Sequence, residues 1–517
     1  LSEISLNQFY GIELDDFAHE IAILALWLTK HQMNVEFFKE FGRNNPTLPL
    51  TDAGNIVQGN ACRVNWEEVC PKKVGDEIYI LGNPPYLGFR NWDENQKADM
   101  EFTFTQLGNV KRLDYISCWF KNGTDFIKGF NSKYAFVSTN SICQGEQVSL
   151  LWPFIFSEKQ EIGFAYQPFD WSNNAKGNAG VTCVIVGVQN ISKENKRLYV
   201  NNLKSSVLNI SPYLLSGPSI VMYQRKIPLS KFPIMMLGSS GIDGGHLMIS
   251  KDEKKEFVNN DSRSTKFIRP FLSGGDFLND IERYCLWIND EDLSDAISIS
   301  MIKERIDKCR DYRLGAGRDA KKGASIPHRF FYRKYKPTNS IILPRTSSGR
   351  REYLACGFLD KGTIVSNQAF VIYDAESYLF SFLSSKIHSK WMSITSGKMR
   401  HDYSYSVNLT YNTIPFPTIS KQRKEELTQC TLKIIDERLK HSEKTLAQLY
   451  DPDKMPEGLK EAHHQNDLAV ERCYRSTPFS SDEERLEYLF KLYEKMIQEE
   501  KDKDTLFAKQ KKTRKRK

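Results

Sequence analysis

The chain has 517 residues, which is more than one hydrophobic core usually holds, so two or three domains are expected. It is 40% hydrophobic, as globular chains are, it has no apolar run near the roughly 20 residues that span a bilayer, and its unevenly distributed net charge of +8 favours an anionic partner. The ten cysteines show neither C-x-x-C pairs nor the His/Cys spacing of zinc sites, so we expect no metal and a reduced, cytoplasmic setting.

Residues 1–204 alternate short apolar runs with longer amphipathic stretches. In chain order these are FYGIEL, DDFAHEIAILALWLTKHQ, GNIVQGNA, DEIYILGN, DYISCWFKNGTDFIKGF, KYAFVSTN and GVTCVIVGV. Strands separated by helices are typical of a parallel α/β sheet. No helix separates VTCVIVGV from KRLYVNNL, so an antiparallel edge is predicted there.

Residues 205–420 have shorter runs, more Gly, Ser and Pro, and dense Lys and Arg. Two glycine-containing stretches, 238–247 and 314–324, are interpreted as loops. Fourteen basic residues, interleaved with aromatic side chains, lie between positions 305 and 351: Arg305, Lys308, Arg310, Arg313, Arg318, Lys321, Lys322, Arg329, Arg333, Lys334, Lys336, Arg345, Arg350 and Arg351. Because acids are sparse in this window, it indicates a binder of the phosphate backbone, with a solvated surface of mixed charge as the alternative.

Residues 421–517 have helical periodicity and little glycine. Ser481, followed by acidic residues, predicts the start of a helix. The chain ends in AKQKKTRKRK, a basic tail of the kind that usually makes nonspecific contacts with anions.

The stretch LGNPPYLGF, residues 81–89, predicts a buried strand that ends at the carboxyl edge of the sheet, because two adjacent prolines stop the strand. Asn83 can offer a side-chain oxygen and Pro84 a backbone carbonyl, held in place by the restricted backbone of Pro84 and Pro85. Two acceptors aimed at an exocyclic amino group would stabilise the positive charge that develops on its nitrogen during methylation. Tyr86 offers a flat face to a base flipped out of a duplex. The alternative is a plain proline turn after a strand.

Two polar residues end the strand-like runs ahead of this stretch. In a dinucleotide-type fold the acid that ends the second strand binds ribose hydroxyls, so Glu13 is the predicted ribose ligand, with helix capping as the alternative. Asn60 ends the next run and is a candidate contact of the cofactor's adenine. The twelve residues ahead of Glu13 leave no room for the glycine-rich loop of such folds, so the chain is interpreted as a fragment.

These blocks together resemble the gamma-type N6-adenine DNA methyltransferases and, more narrowly, the MmeI-like (Type IIL) restriction-modification family. The resemblance rests on YGIELDDFAHEIAILALWL, GNPPYLG, LDYISCWF, YAFVSTNSICQGEQV, PFDWSNNAKGNAGVTCVIVG, GIDGGHLMIS, RPFLSGGDFL, YSVNLTYNTIPFP and LYDPDKMPEGLKEAHHQNDLAVERCY. It implies three parts. Residues 1–204 would form a Rossmann-like class I methyltransferase sheet, incomplete at its start; residues 205–420 an α+β target-recognition domain; and residues 421–517 a helical domain with a basic tail.

The resemblance also implies an activity, the transfer of a methyl group from S-adenosylmethionine to adenine N6 in double-stranded DNA. Asn83–Tyr86 would be the catalytic motif, Glu13 the ribose ligand, and Asn60 the counterpart of a usually acidic adenine contact. Phe169 in PFDW is the candidate for a second aromatic side chain against the flipped base, with a core position as the alternative.

Four residues of the strand-rich recognition region are candidate DNA contacts: Arg345, Arg350, Ser366 and Asn367. Three other functions stay open. One is a DNA-binding fragment that holds no cofactor. The second is methylation of cytosine N4, whose motif more often begins with Ser, and the third is methylation of protein glutamine, for which the long basic region has no obvious purpose.

Overall fold

The computed structural model describes residues 4–42, 54–105, 110–171, 181–201, 203–399 and 401–514. The chain divides into two compact units, Leu1–Val221 and Met222–Lys517. No helix within the described ranges is long and apolar enough to cross a membrane.

The first unit combines helices with two sheets. Its strands are β1 Tyr10–Glu13, β2 Asn55–Gln58, β3 Ile78–Gly82, β4 Ser132–Thr139, β5 Gln160–Trp171, β6 Val181–Asn190, β7 Lys196–Val200 and β8 Leu203–Val207. Its α-helices are α1 Asp16–Phe41, α2 Trp66–Val69, α3 Glu94–Thr103, α4 Ser117–Ile127 and α5 Glu146–Ser157.

The strand order confirms an α/β fold, but the larger sheet is mixed and not parallel as predicted, because β4–β6, β6–β5 and β7–β8 pair antiparallel. The predicted edge is also corrected. β1 and β2 form a parallel pair, and the larger sheet has the order β3-β4-β6-β5-β7-β8, with β3 parallel to β4. The predicted antiparallel pairing of VTCVIVGV with KRLYVNNL is wrong, because β5 lies between β6 and β7 and runs parallel to β7. The antiparallel edge is instead the pair β7 and β8, whose strands are joined by a short turn and therefore meet at low cost in chain entropy.

An aromatic cluster holds α4 and α5 against β4. The ring of Phe120 on α4 lies 5.8 Å from that of Tyr134, 5.4 Å from that of Phe136 and 6.3 Å from that of Trp152, measured between centroids. All four side chains are almost completely buried. Burial of rings of this size contributes several kcal/mol in total, and it fixes the strand beside β3.

The first unit exposes apolar side chains on α1 and β3. No residue of α1 is buried, and Phe17, Ile21, Leu24 and Leu28 are exposed at the spacing of one helix face. In β3, Leu81 is 82% exposed. Among the described residues, β1 pairs only with β2 and β3 only with β4. In the described part of the chain, one edge of each of β1, β2 and β3 and one face of α1 are therefore uncovered.

The second unit is a mixture of short strands and helices. Its strands are β9 Met235–Leu237, β10 Met248–Ser250, β11 Ile268–Leu272, β12 Arg283–Leu286, β13 Ser340–Pro344, β14 Thr346–Ser347, β15 Gly357–Leu359, β16 Ile364–Val365, β17 Ala369–Tyr373, β18 Gly397–Met399 and β19 Asp402–Ser404. Its α-helices are α6 Lys251–Asn260, α7 Gly274–Asn279, α8 Leu293–Ile297, α9 Ser300–Gly315, α10 Arg318–Lys322, α11 Tyr378–Leu383, α12 Lys386–Thr395, α13 Lys421–Leu439, α14 Leu446–Leu449, α15 Glu457–Glu471 and α16 Asp482–Arg514.

Three small sheets and a group of helices form this unit. The sheets have the orders β10-β12-β11-β16, β15-β13-β17-β9 and β14-β19-β18. The predicted helical region after residue 420 is present, and the hydroxyl of Ser481 accepts a hydrogen bond from the Glu484 amide at 3.1 Å, which confirms the predicted start of α16. The structure groups residues 222–420 with this helical region in one compact unit, so the boundary near residue 420 stays a prediction.

Candidate active site and recognition loops

The tetrapeptide Asn83–Tyr86 begins directly after β3. That strand ends at Gly82, as predicted, but it is not the buried strand that was predicted, because its residues alternate between half-buried and exposed. Its parallel neighbour β4 ends at Thr139. Asn83 is exposed, whereas Pro84 is buried and Tyr86 is half-buried. The side-chain amide of Asn83 therefore faces solvent at the carboxyl edge of the sheet, where open α/β sheets bind their ligands.

The loop after the tetrapeptide is held through one carbonyl. The Leu87 carbonyl accepts hydrogen bonds from the Trp92 indole N–H at 2.7 Å and from the Tyr115 backbone N–H at 3.0 Å. Two donors use both lone pairs of this oxygen, so the backbone next to Tyr86 has a defined direction. No sequence pattern predicts this role of Trp92.

Tyr86 and Phe169 are both neighbours of Cys183 in β6. Burial raises the pKa of the Tyr86 phenol, and the neighbouring Cys183 thiol raises it further. Phe169 lies directly opposite Cys183 in the antiparallel pair of β5 and β6. Because opposite residues of such a pair project from the same face, the structure brings Phe169 to the side of the sheet that carries Cys183 and Tyr86.

A carboxylate and two hydroxyl groups form hydrogen bonds at the carboxyl end of β4. The Asp114 carboxylate accepts hydrogen bonds from Thr139 Oγ1 at 3.3 Å and from Ser141 Oγ, and the Asp114 amide donates to Gln147 Oε1 at 3.0 Å. These bonds fix Asp114, which precedes Tyr115 in the chain. The backbone N–H of Tyr115 in turn donates to the Leu87 carbonyl. The block LDYISCWF contains Asp114 and was the sequence signal for a role of this residue. Spacing along the sequence does not predict its hydrogen-bond partners.

Glu13 and Asn60 lie at neighbouring strand ends. β1 and β2 pair in parallel up to Glu13 and Gln58, and the Gly59 amide donates to the Glu13 carbonyl at 2.8 Å. The Glu13 residue is exposed. Asn60 is half-buried, and its Oδ1 accepts from the Cys62 amide at 2.9 Å. The structure thus brings these two predicted cofactor ligands to the same edge of the small sheet.

A buried acid that we did not predict lies behind Asn60. Asp99 on α3 is 3% exposed and accepts hydrogen bonds from Asn60 Nδ2 at 2.8 Å, Arg63 Nε at 2.5 Å and the Tyr115 hydroxyl at 2.7 Å. Burial acts to raise the pKa of Asp99, but the hydrogen bonds from Tyr115, Arg63 and Asn60 outweigh it and hold the pKa below its ordinary value. Asp99 is therefore an ionised acceptor at neutral pH.

The basic window is less open to an anionic partner than its composition indicates. Eight of its fourteen cations are already held within the second unit: Arg305 by Glu253, Lys308 by Glu304, Arg310 by Asp307, Arg313 by backbone carbonyls, Lys322 by Asp319, Arg329 by Asp290, Arg333 by the Ile288 carbonyl and Asn289, and Arg350 by Asp453. Several of these acids lie outside the window, so counting acids inside it underestimated the compensation. Exposed members such as Arg318 and Arg345 remain the better candidates for phosphate contact.

Arg313 is the completely buried member of the window. Its five N–H groups donate to five backbone carbonyls at 2.7–3.0 Å: those of Gly241, Ile242, Gly323, Ile326 and Arg329. The stretch 238–247 is a loop, as predicted, and Gly244 and Gly245 adopt positive φ angles that favour glycine. The prediction of a loop over 314–324 is wrong, because this stretch contains the end of α9 and all of α10. Arg313 joins the first loop to the segment after α10, so it is a structural residue and not a phosphate ligand.

The four predicted DNA contacts occupy different environments. Arg345 is exposed at the end of β13, and no partner for its guanidinium is seen among the described residues. Arg350 forms an exposed ion pair with Asp453. Asn367 is half-buried, whereas Ser366 is buried and its hydroxyl accepts from the Gln368 amide at 3.2 Å. Ser366 therefore supports the loop, and its hydroxyl is a poor candidate for a base contact.

Both units of the chain match models of a single protein family. Models of the MmeI family match three ranges: the DNA-methyltransferase domain over residues 1–200, the target recognition domain over 216–418 and the C-terminal domain over 419–499. The chain belongs to the MmeI family.

Two relatives show how far the likeness extends. DNA methyltransferase A of Bacillus subtilis (strain 168) is 43% identical over 498 residues, which cover 96% of this chain and 56% of that protein. A solved structure of the Type IIL restriction-modification enzyme MmeI in complex with DNA is 35% identical, with a TM-score of 0.83, over 96% of this chain and 67% of that one. The chain thus spans about half the length of the curated relative.

Proposed function

We propose that the chain is the methyl-transferring and DNA-recognising part of a site-specific restriction-modification enzyme. It transfers a methyl group from S-adenosylmethionine to adenine N6 in double-stranded DNA, in the cytoplasm. The observation that carries this proposal is the position of Asn83–Tyr86. Asn83 is exposed directly after β3. Tyr86 neighbours Cys183 of β6, and Phe169 of β5 lies opposite Cys183 in the sheet.

The residues at this edge suit an exocyclic amine. The lone pair of an aromatic amine is delocalised into its ring, so attack requires the nitrogen to become tetrahedral and positively charged. Asn83 Oδ1 and the Pro84 carbonyl would accept the two amino hydrogens and favour that charge. The fixed backbone angle of Pro84 and its burial hold the carbonyl in one direction. Tyr86 and Phe169 would stack on the flipped adenine.

The residues at the ends of β1 and β2 fit the methyl donor. When bound, S-adenosylmethionine supplies an electrophilic methyl group on a positively charged sulfur. The exposed Glu13 carboxylate would hold the ribose hydroxyls. Asn60 Oδ1 and Nδ2 each have one protein partner, which leaves one lone pair and one hydrogen for the donor's adenine.

One observation favours a second candidate function, DNA binding without methyl transfer. The apolar face of α1 is exposed and β3 has an uncovered edge in the described residues, so the donor half of the site lacks the packing that would make it rigid. The 517-residue chain by itself would then recognise DNA and bind the donor weakly.

Isothermal titration with S-adenosylmethionine separates the two functions. We expect the 517-residue chain to bind the donor tightly, as methyl transfer requires. Weak or absent donor binding with retained DNA binding would favour the second candidate. Digestion of the methylated duplex to nucleosides then identifies the base, and N4-methylcytosine in place of N6-methyladenine would refute the proposed substrate. Failure to bind DNA at moderate salt would favour protein-glutamine methylation.

A further inference from the structure

A continuous set of hydrogen bonds links the two halves of the candidate site. At one end Asn60, the candidate donor contact, gives its side-chain N–H to Asp99 Oδ2 at 2.8 Å. The same oxygen accepts the Tyr115 hydroxyl at 2.7 Å. The Tyr115 backbone N–H in turn donates to the Leu87 carbonyl at 3.0 Å, one residue after Tyr86. Three residues, Asp99, Tyr115 and Leu87, therefore connect Asn60 on the donor side to Tyr86 on the base side.

Each member of this set has little freedom to move independently. Asp99 and Tyr115 are buried, and Arg63 fixes the second oxygen of Asp99 at 2.5 Å. The Leu87 carbonyl has its other lone pair occupied by the Trp92 indole at 2.7 Å. A displacement of Asn60 must therefore move Asp99 or break its bond, and a movement of Asp99 is passed through Tyr115 to the turn that presents Tyr86.

We propose that Asp99 is a positioning residue that couples donor binding at Asn60 to the placement of the base-holding Tyr86. This inference rests on the proposed function, because it assigns the donor to Asn60 and the flipped base to Tyr86. Asp99 touches neither ligand. It acts through Asn60 on one side and through Tyr115 and Leu87 on the other.

The chemistry of a carboxylate suits this role. An ionised carboxylate is an acceptor with two oxygens, so it can bind the Asn60 amide, the Arg63 guanidinium and the Tyr115 hydroxyl together. Asparagine has nearly the same shape but only one acceptor oxygen. Asp99→Asn therefore leaves at least one of the three donors without an acceptor while it preserves the packing of α3.

Three variants test the coupling. Asp99→Asn weakens the centre of the set, and Tyr115→Phe removes only the hydroxyl and keeps the backbone bond to Leu87. Glu161→Gln is the matched control, because Glu161 forms an ion pair with buried Lys196 at 2.8 Å in the same unit and lies outside the set. Hydrogen exchange by mass spectrometry, with and without S-adenosylmethionine, is read for peptides that cover residues 84–92 and 113–118.

We expect exchange in both peptides to be about tenfold faster in Asp99→Asn and Tyr115→Phe than in the wild type, the effect of losing one ordinary hydrogen bond. Glu161→Gln is expected to match the wild type in these peptides. We also expect the donor to protect residues 84–92 in the wild type and the control, and to protect them far less in the two test variants. Fluorescence of 2-aminopurine at the target position should show weaker base flipping in the test variants at saturating donor.

Each contrary result has one meaning. Equal protection of residues 84–92 in Asp99→Asn and the wild type overturns the coupling, and so does donor binding to the wild type with no protection there. If the wild type binds no donor, the proposed function of this chain is wrong; unchanged exchange in Asp99→Asn without donor then also overturns the positioning role, whereas faster exchange supports it. A purely structural role of Asp99 would show faster exchange throughout the first unit, and not selectively in these two peptides.

Discussion

Replacement of Arg313 by lysine is expected to lower the free energy of unfolding of the second unit by about 3 to 6 kcal/mol. The guanidinium of Arg313 gives five N–H groups to five backbone carbonyls, and it is completely buried. A lysine ammonium has three donors, so at least two carbonyls lose their partner. A hydrogen bond from a charged group contributes about 1.5 to 3 kcal/mol, and two such losses give the stated range.

Urea-induced unfolding measures this change, with hydrogen exchange of peptides from residues 222–514 used to follow the second unit separately. Arg310→Lys is the matched control, because Arg310 lies on the same helix in an exposed ion pair with Asp307. Its effect should stay within about 0.5 kcal/mol. A loss below about 1 kcal/mol for Arg313→Lys, or equal losses for the two variants, would refute the idea that the hydrogen bonds of Arg313 hold the loop 238–247 against the segment 323–329.

Three further changes have defined outcomes. Asn83→Ala should abolish methyl transfer, measured with radiolabelled S-adenosylmethionine, and leave DNA affinity nearly unchanged in a mobility-shift assay; a variant with more than one tenth of wild-type activity would contradict its assigned role. Arg345→Ala should weaken binding to the target duplex by about 1 to 3 kcal/mol, measured by fluorescence anisotropy, and unchanged affinity would remove this residue from the DNA interface. Burial raises the pKa of Asp467 to about 7, so the folded protein keeps a proton that the unfolded chain releases above its ordinary pKa, and this contribution to stability is lost as the pH rises from about 4 to about 7. Asp467→Asn should remove this slope from a plot of melting temperature against pH, and an unaltered slope would show that other groups cause it.

The sequence predicted the features that depend on a few neighbouring residues. Two prolines after IYI end β3 at Gly82 because proline cannot extend a strand, whatever surrounds it. Asp15 and Ser481 cap α1 and α16 through bonds to amides three residues ahead. The family resemblance used the same kind of short blocks, and the family models and the solved relative confirm it.

The order of strands and the state of each charged group were decided only by the tertiary structure. β7 pairs with β5 and not with its predicted partner β6, because both edges of β6 are already paired, with β4 and with β5. Charge counts within residues 305–351 missed Glu253, Asp290 and Asp453, since these acids are distant in sequence and adjacent only in space.

Asp99 shows the same limit at the candidate site. The sequence by itself identified the tetrapeptide, the two cofactor candidates and the family, because the backbone chemistry of proline and the identity of short motifs are local properties. It could not identify Asp99, which lies 39 residues from Asn60 and 16 from Tyr115 along the chain. A carboxylate acquires its role from the donors packed around it, and only the folded chain brings those donors within hydrogen-bond distance.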